Sequence, residues 1–115
     1  MDSGSINKVI LIGHLGADPE IRYTSSGVAT ASFSLATNEK YVDSEGNEKK
    51  HVEWHRIVTW NKTAEFAEQY IKKGQLVYIE GKIRSREFVT KEGINKKITE
   101  ILCSNITPLE WKSDK

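Results

Sequence analysis

A chain of 115 residues with a formal net charge of +1 and one cysteine fits a single domain with a real core. It excludes an internal disulfide framework, and with no apolar run near about 20 residues it excludes a membrane-spanning helix. The balanced charge also argues against a protein that relies on phosphate contacts to hold duplex DNA, which is usually more basic.

Residues 1–6 are expected to be a disordered lead, and Met1-Asp2-Ser3-Gly4-Ser5 carries no signal or transit pattern. Asn7 to Leu15 reads as a first strand, with Val9, Leu11 and Leu15 on one side and Ile10 and Ile12 on the other. A strand apolar on both sides needs cover on both, so a second subunit is expected over one of them. Gly13 and Gly16 permit a bend, Asp18-Pro19 marks a turn, and Glu20 to Thr24 reads as a short extension of the same strand. Ser25-Ser26-Gly27 is a further turn.

Val28 to Thr37 is the second strand. Ala29, Ala31, Phe33 and Leu35 form its apolar face, and Thr30, Ser32 and Ser34 a small polar one with room for a ligand. The polar stretch from Asn38 to Lys50 reads as a long hairpin loop turning at Ser44-Glu45-Gly46-Asn47, and His51 to Trp60 as the third strand. Ala64, Ala67, Tyr70 and Ile71 form a helical stripe, with Asn61 or Thr63 as its cap and Lys72-Lys73-Gly74 as its end. Val77 to Phe88 is the fourth strand, Lys91 to Asn95 a hairpin tip, and Lys97 to Ile106 the fifth strand, ended by Pro108. Cys103, within Ile101-Leu102-Cys103, reads as a buried structural thiol of a cytosolic protein.

Two strands carry the functional signal. Trp54, Arg56, Val58 and Trp60 share one face of the third, and Lys82, Arg84, Arg86 and Phe88 share one face of the fourth, with Ile79, Gly81 and Ile83 behind them as the buried side. From Lys82 to Lys97, six basic residues against two acids leave a local charge of +4. Bare aromatics among cations suit a partner with flat faces and a phosphate backbone, which describes single-stranded nucleic acid. Three strands, one helix and two further strands fit an all-β chain with one short helix, the OB-fold, a five-stranded partly open Greek-key barrel.

The segments Asn7 to Gly13, Asp18 to Tyr23, Phe33 to Thr37, Glu53 to Val58 and Gly74 to Arg86 resemble, in order and spacing, the bacterial and mitochondrial single-stranded DNA-binding proteins. The resemblance covers residues 7–108 as one binding domain. It implies a homotetramer wrapped by single-stranded DNA, serving replication, recombination and repair in the cytoplasm at the nucleoid. It places stacking aromatics at Tyr41, Trp54, Trp60 and Phe88, with Tyr41 and Phe88 standing where tryptophan is usual and Trp60 where phenylalanine is usual. It places basic contacts at Lys8, Arg22, Arg56, Lys62, Lys73, Arg84 and Arg86, and Lys49, Lys50, Lys96 and Lys97 are added from the loops beside the strands. His55, Tyr78, Ile10 and Ile12 are expected at a subunit interface. Residues 109–115 show no acidic, apolar tail tip of the kind that recruits replication and repair enzymes in bacterial members, so recruitment through such a tip is not expected of them.

Other chemistry is poorly supported. His51 and His55 sit four apart on a strand, about 13 Å at the usual rise, too far to share a metal ion. Glu20, Glu53 and Glu80 are isolated carboxylates, and no phosphate loop or nucleophile with its base is present. No catalytic residue, metal or cofactor is expected. The alternatives are an OB module of a primosome, an RNA-binding OB domain, and an interaction module whose aromatic face meets protein.

Overall fold

The computed structural model describes residues 4–111; the first part of the expected lead (1–3) and the last part of the chain (112–115) lie outside the described residues. Within them, β1 (Val9–Leu15), β2 (Glu20–Tyr23), β3 (Ala29–Val42), β4 (Glu48–Trp60), α1 (Asn61–Tyr70), β5 (Leu76–Val89) and β6 (Asn95–Pro108) follow one another. The sheet runs β1-β5-β6-β4-β3-β2, and a further β1–β3 pairing closes five of its strands into a barrel. All pairings are antiparallel except β4–β6, where Ile57 and Val58 face Ile101 and Leu102 in parallel. This is the expected OB-fold.

Closure needs close approach. A side chain at Gly13 would run into the carbonyl of Ala36, so glycine lets β1 pass against β3 where they join. The inward residues of β3, Ala29, Ala31, Phe33 and Leu35, meet Leu15, Ile57, Val77, Ile79, Ile101, Cys103 and Ile106 in one core. The helix joins it through Ala64 and Ala67, both fully buried, and small enough to bring the helix axis close to the strands.

Several boundaries differ from the expected ones. The stretch Glu20–Tyr23 is a separate strand paired with β3, because Gly16 and Asp18-Pro19 turn the chain away from β1. The expected loop from Asn38 to Lys50 is mostly strand: the β3–β4 ladder continues without a slip to Val42 and Glu48. Its residues point into solvent on both faces, so no apolar alternation marks them, and the ladder is carried outward by backbone bonds. The turn is short because Asp43 Oδ1 accepts the backbone N–H of Glu45 and of Asn47, each at 2.9 Å, and Gly46 has φ 83°. A second ribbon, β5–β6, projects in the same manner beyond a bulge at Glu80/Gly81.

That projection explains Ile83. It was assigned to the buried side and is 52% exposed, because β5 has already left the barrel there; Asn7 brackets its backbone instead, donating to the Ile83 carbonyl at 2.8 Å and accepting its N–H at 2.9 Å. The helix starts at Asn61 with φ 59° and has Trp60 at the cap position, with no side-chain cap from either expected residue. It ends at Tyr70, before Lys72-Lys73-Gly74. Those residues form a turn held by Gln75, whose side chain accepts the N–H of Lys72, and by Gly74 N–H on the Leu15 carbonyl at 2.8 Å. Tyr70 stays half exposed, tilted against Phe66 at 4.9 Å and edge-on to Trp111 at 5.9 Å.

Candidate nucleic-acid interface

One continuous outer face runs across β3, β4, β6 and β5. Ala36, Ser34, Ser32 and Thr30 of β3 stand opposite Trp54, Arg56, Val58 and Trp60 of β4. The parallel step places Leu102 and Glu100 of β6 beside Val58 and Arg56, and across β6 come Lys82, Arg84, Arg86 and Phe88 of β5, opposite Leu102, Glu100, Ile98 and Lys96. The aromatic and basic face expected to be shared by the two strands is one surface, with β6 between them. Trp54, Trp60 and Phe88 remain 56%, 39% and 42% exposed on it, unusually open for large aromatics. The small side chains of β3 leave the rings standing proud.

Between the aromatics the cations are organised by one carboxylate. Glu100 is buried, and its two oxygens accept from three arginines: Arg56 Nε at 3.3 Å on Oε2, and Arg84 Nη2 at 3.1 Å and Arg86 Nε at 3.0 Å on Oε1. Burial alone would push the carboxyl up, but hydrogen bonds from Arg84, Arg86 and Arg56 and the nearby positive charge bring it below the usual glutamate range. Arg86 also lies against the Phe88 ring, its guanidinium carbon 6.0 Å from the centroid. Among the described residues, Arg84 Nε is the one buried side-chain nitrogen or oxygen with no hydrogen-bond partner.

These groups line an open concavity of about 540 Å³ whose walls also include Trp60, Thr30, Ser32, Glu20 and Arg22. Arg22 reaches it from β2, opposite Thr30, and is itself paired with Glu20 at 3.0 Å. Glu100 was missed in the sequence because β6 has no aromatic or basic alternation to flag it. Folding the hairpin about Glu92 would have placed it directly opposite Arg84.

The remaining expected residues scatter. Tyr41 stands opposite Lys49 on the β3–β4 ribbon, on the ribbon face opposite to Trp54; Lys50 stands opposite Lys40 on the Trp54 side. Lys96 joins Phe88 on the aromatic face, while Lys97 pairs across from Glu87 behind it. Lys62 is the second residue of the helix, and Lys73 lies in the turn after it, its backbone N–H on Asp18 Oδ1 at 2.8 Å. Lys8 lies where the outer side of the sheet continues past Lys82 toward β1, and pairs there with Glu80 at 2.7 Å; the bond raises the lysine and lowers the carboxyl from their ordinary values. That surface is the outer side of β1 and β5. It holds Ile10 and Ile12, both more than half exposed, with Tyr78 opposite Ile12 and bonded to Glu80 at 3.2 Å. His55 sits apart from it, on the inward parity of β4 opposite Leu35, 2.9 Å from Thr37 Oγ1.

The carboxylates read as isolated each have a basic partner: Glu20 with Arg22, Glu80 with Lys8, and Glu53 with His51 at 3.0 Å, which raises the histidine from its ordinary value. No three His, Cys, Asp or Glu side chains converge among the described residues, so they offer no cluster to hold a metal. The arrangement can hold flat rings between exposed aromatics and neutralise anions at fixed arginines.

A model of the single-strand binding protein family matches residues 6–109. The single-stranded DNA-binding protein 1 of Chlorobaculum tepidum is 50% identical over 108 residues, which cover 93% of this chain and 67% of that protein. The single-stranded DNA-binding protein of Neisseria meningitidis is 46% identical over 110 residues, 96% of this chain and 63% of that one. The chain thus spans about two thirds of the length of these relatives. Among solved structures, a Plasmodium falciparum SSB in complex with ssDNA superposes with a TM-score of 0.87 at 36% identity, over 96% of this chain and 100% of that chain. A deletion variant of the single-stranded DNA-binding protein from Thermus aquaticus gives 0.81 at 34% identity, over 91% of this chain and 51% of that chain.

Proposed function

The chain belongs to the single-strand binding protein family, and from that premise we propose that it binds single-stranded DNA with little regard to sequence and coats exposed strands in replication, recombination and repair. The observation that carries this reading is the single face on which Trp54, Trp60 and Phe88 flank Arg56, Arg84 and Arg86. Stacking uses a surface common to all bases, and the arginines meet the backbone, so neither reads sequence. Duplex DNA hides the base faces and binds poorly. The role is that of a binding protein, not an enzyme, acting in the cytoplasm at the nucleoid and needing no cofactor. Assembly as a homotetramer is supported by the exposed Ile10 and Ile12 beside Tyr78, at the β1 end of the same outer side.

Titration with oligothymidine and with duplex DNA, followed by tryptophan fluorescence at two salt concentrations, tests the reading. Strong quenching by the single strand alone, weaker as salt rises, is the expected result. Absence of quenching at low salt would overturn it.

A further inference from the structure

We propose that Glu100 is a positioning residue of this face: it holds Arg56, Arg84 and Arg86 in their binding arrangement before a strand arrives and subtracts one charge from what the strand meets. The inference rests on the single-strand reading above and extends it to a residue that does not itself contact the ligand.

The topology makes Glu100 central. It lies on β6, directly opposite Arg84 of β5, and the parallel pairing of Ile57 with Ile101 brings Arg56 of β4 to its other side. Both carboxylate oxygens are used, Oε1 by Arg84 and Arg86 and Oε2 by Arg56. The glutamate side chain is 1% exposed, whereas those of the arginines are 36–47% exposed. A strand lying on the face therefore touches guanidinium groups and not the carboxylate that orders them.

Net stability is a weak reason to keep a buried anion here: breaking such a cluster is costly, yet apolar residues of similar size often replace all of it without loss. Ile98 and Leu102, its neighbours on the same strand face, show that β6 takes apolar residues there. In a site for a polyanion the carboxylate also opposes the ligand. What it supplies is order: a free arginine loses much rotamer freedom when a ligand fixes it, and here that loss is met in folding. The subtracted charge weakens attraction to phosphate alone. Duplex, which offers phosphates without base faces, loses most by this, so selectivity shifts toward the stacked single strand.

Two measurements test this. In the unmodified, DNA-free protein, arginine Nε–H resonances of Arg56 and Arg86 should be resolved and slow to exchange with water, since both donate to Glu100. Freely exchanging signals that sharpen only after DNA is added would overturn the proposal. Next, the salt dependence of oligothymidine and duplex binding is compared for the parent, Glu100→Gln and Glu100→Asp, each with its assembly state checked by sedimentation. Glu100→Gln should steepen the single-strand log–log salt slope by about 0.7, one further phosphate contact, and narrow the gap between single strand and duplex; Glu100→Asp, which keeps the charge, should return both to parental values. A Gln variant with the parental slope and gap overturns the proposal. Should that variant fail to fold, the resonances of the parent decide alone. Loss of oligothymidine binding by the parent would instead sink the single-strand reading, while the resonances still report on the arginine arrangement.

Discussion

The indole of Trp54 lies over the backbone of Gly16: a methyl group at that α-carbon would stand 2.6 Å from Cζ3 and 2.9 Å from Cη2 of the ring. The glycine just past β1 thus sets the height of an aromatic on β4. Gly16→Ala should leave the fold intact, since no left-handed backbone is required there, yet displace the ring. Single-strand affinity should fall by part of the roughly 1–3 kcal/mol that a base–aromatic stack supplies. Fluorescence titration with oligothymidine checks it. An Ala variant that binds and quenches as the parent does would show that ring position at Trp54 is unimportant.

The aromatic face and the ribbon make different predictions for their rings. Trp54→Ala, Trp60→Ala and Phe88→Ala should each weaken binding by about 1–3 kcal/mol, because all three stand half open on one surface. Tyr41 faces the other side of the β3–β4 ribbon, so Tyr41→Ala should cost less with a short oligonucleotide that spans only the Trp54–Phe88 surface. Isotherms with short and long oligothymidine separate the two cases. Equal losses for Tyr41 and Trp54 on the short strand would contradict the register.

Acid should release the arginine cluster. Glu100 is held below the usual glutamate range: burial pushes it up, but the hydrogen bonds and charge of Arg84 and Arg86 on β5 and Arg56 on β4 prevail, with Glu20 and Arg22 of β2 lining the same concavity. A depressed carboxyl contributes stability that is full above its unfolded-state value and lost as pH falls through its folded-state value. Denaturant midpoints measured from neutral pH downward should therefore decline below the ordinary glutamate range, and Glu100→Gln should lack that part of the decline. Parallel pH profiles for the two proteins would contradict the assignment.

Legibility in the sequence followed burial contrast. The parity of Trp54, Arg56, Val58 and Trp60 was readable because Ile57 sits between them and is fully buried, so one side of the strand is unmistakable. The core side of β3 was readable for the same reason. Residues 38–42 and 48–50 have no buried side, and a ladder held by backbone bonds leaves no trace in side-chain alternation. Ile83 misled for the converse reason: its alternation continues Ile79, but the strand leaves the barrel between them. Glu100 required knowing which residue of β6 faces which residue of β5, a matter of hairpin register. Periodicity within one strand does not contain it.

Cys103 provides a test of the barrel interior that is independent of DNA. The thiol is 4% exposed, donates to the Asn105 carbonyl at 3.3 Å, and is pushed up to about 11 by burial. A value of about 11 leaves about one thiolate in ten thousand at pH 7, and the thiolate is the reactive form. Native protein at neutral pH should therefore label very slowly with a thiol-reactive disulfide, and fully once denaturant opens the barrel. The rate should track global opening, because Cys103 packs in the same core as Ile57, Ile79 and Ile101. Saturating oligothymidine should slow it only as far as it stabilises the folded state. Rapid stoichiometric labelling under native conditions would mean that Cys103 does not face the barrel interior.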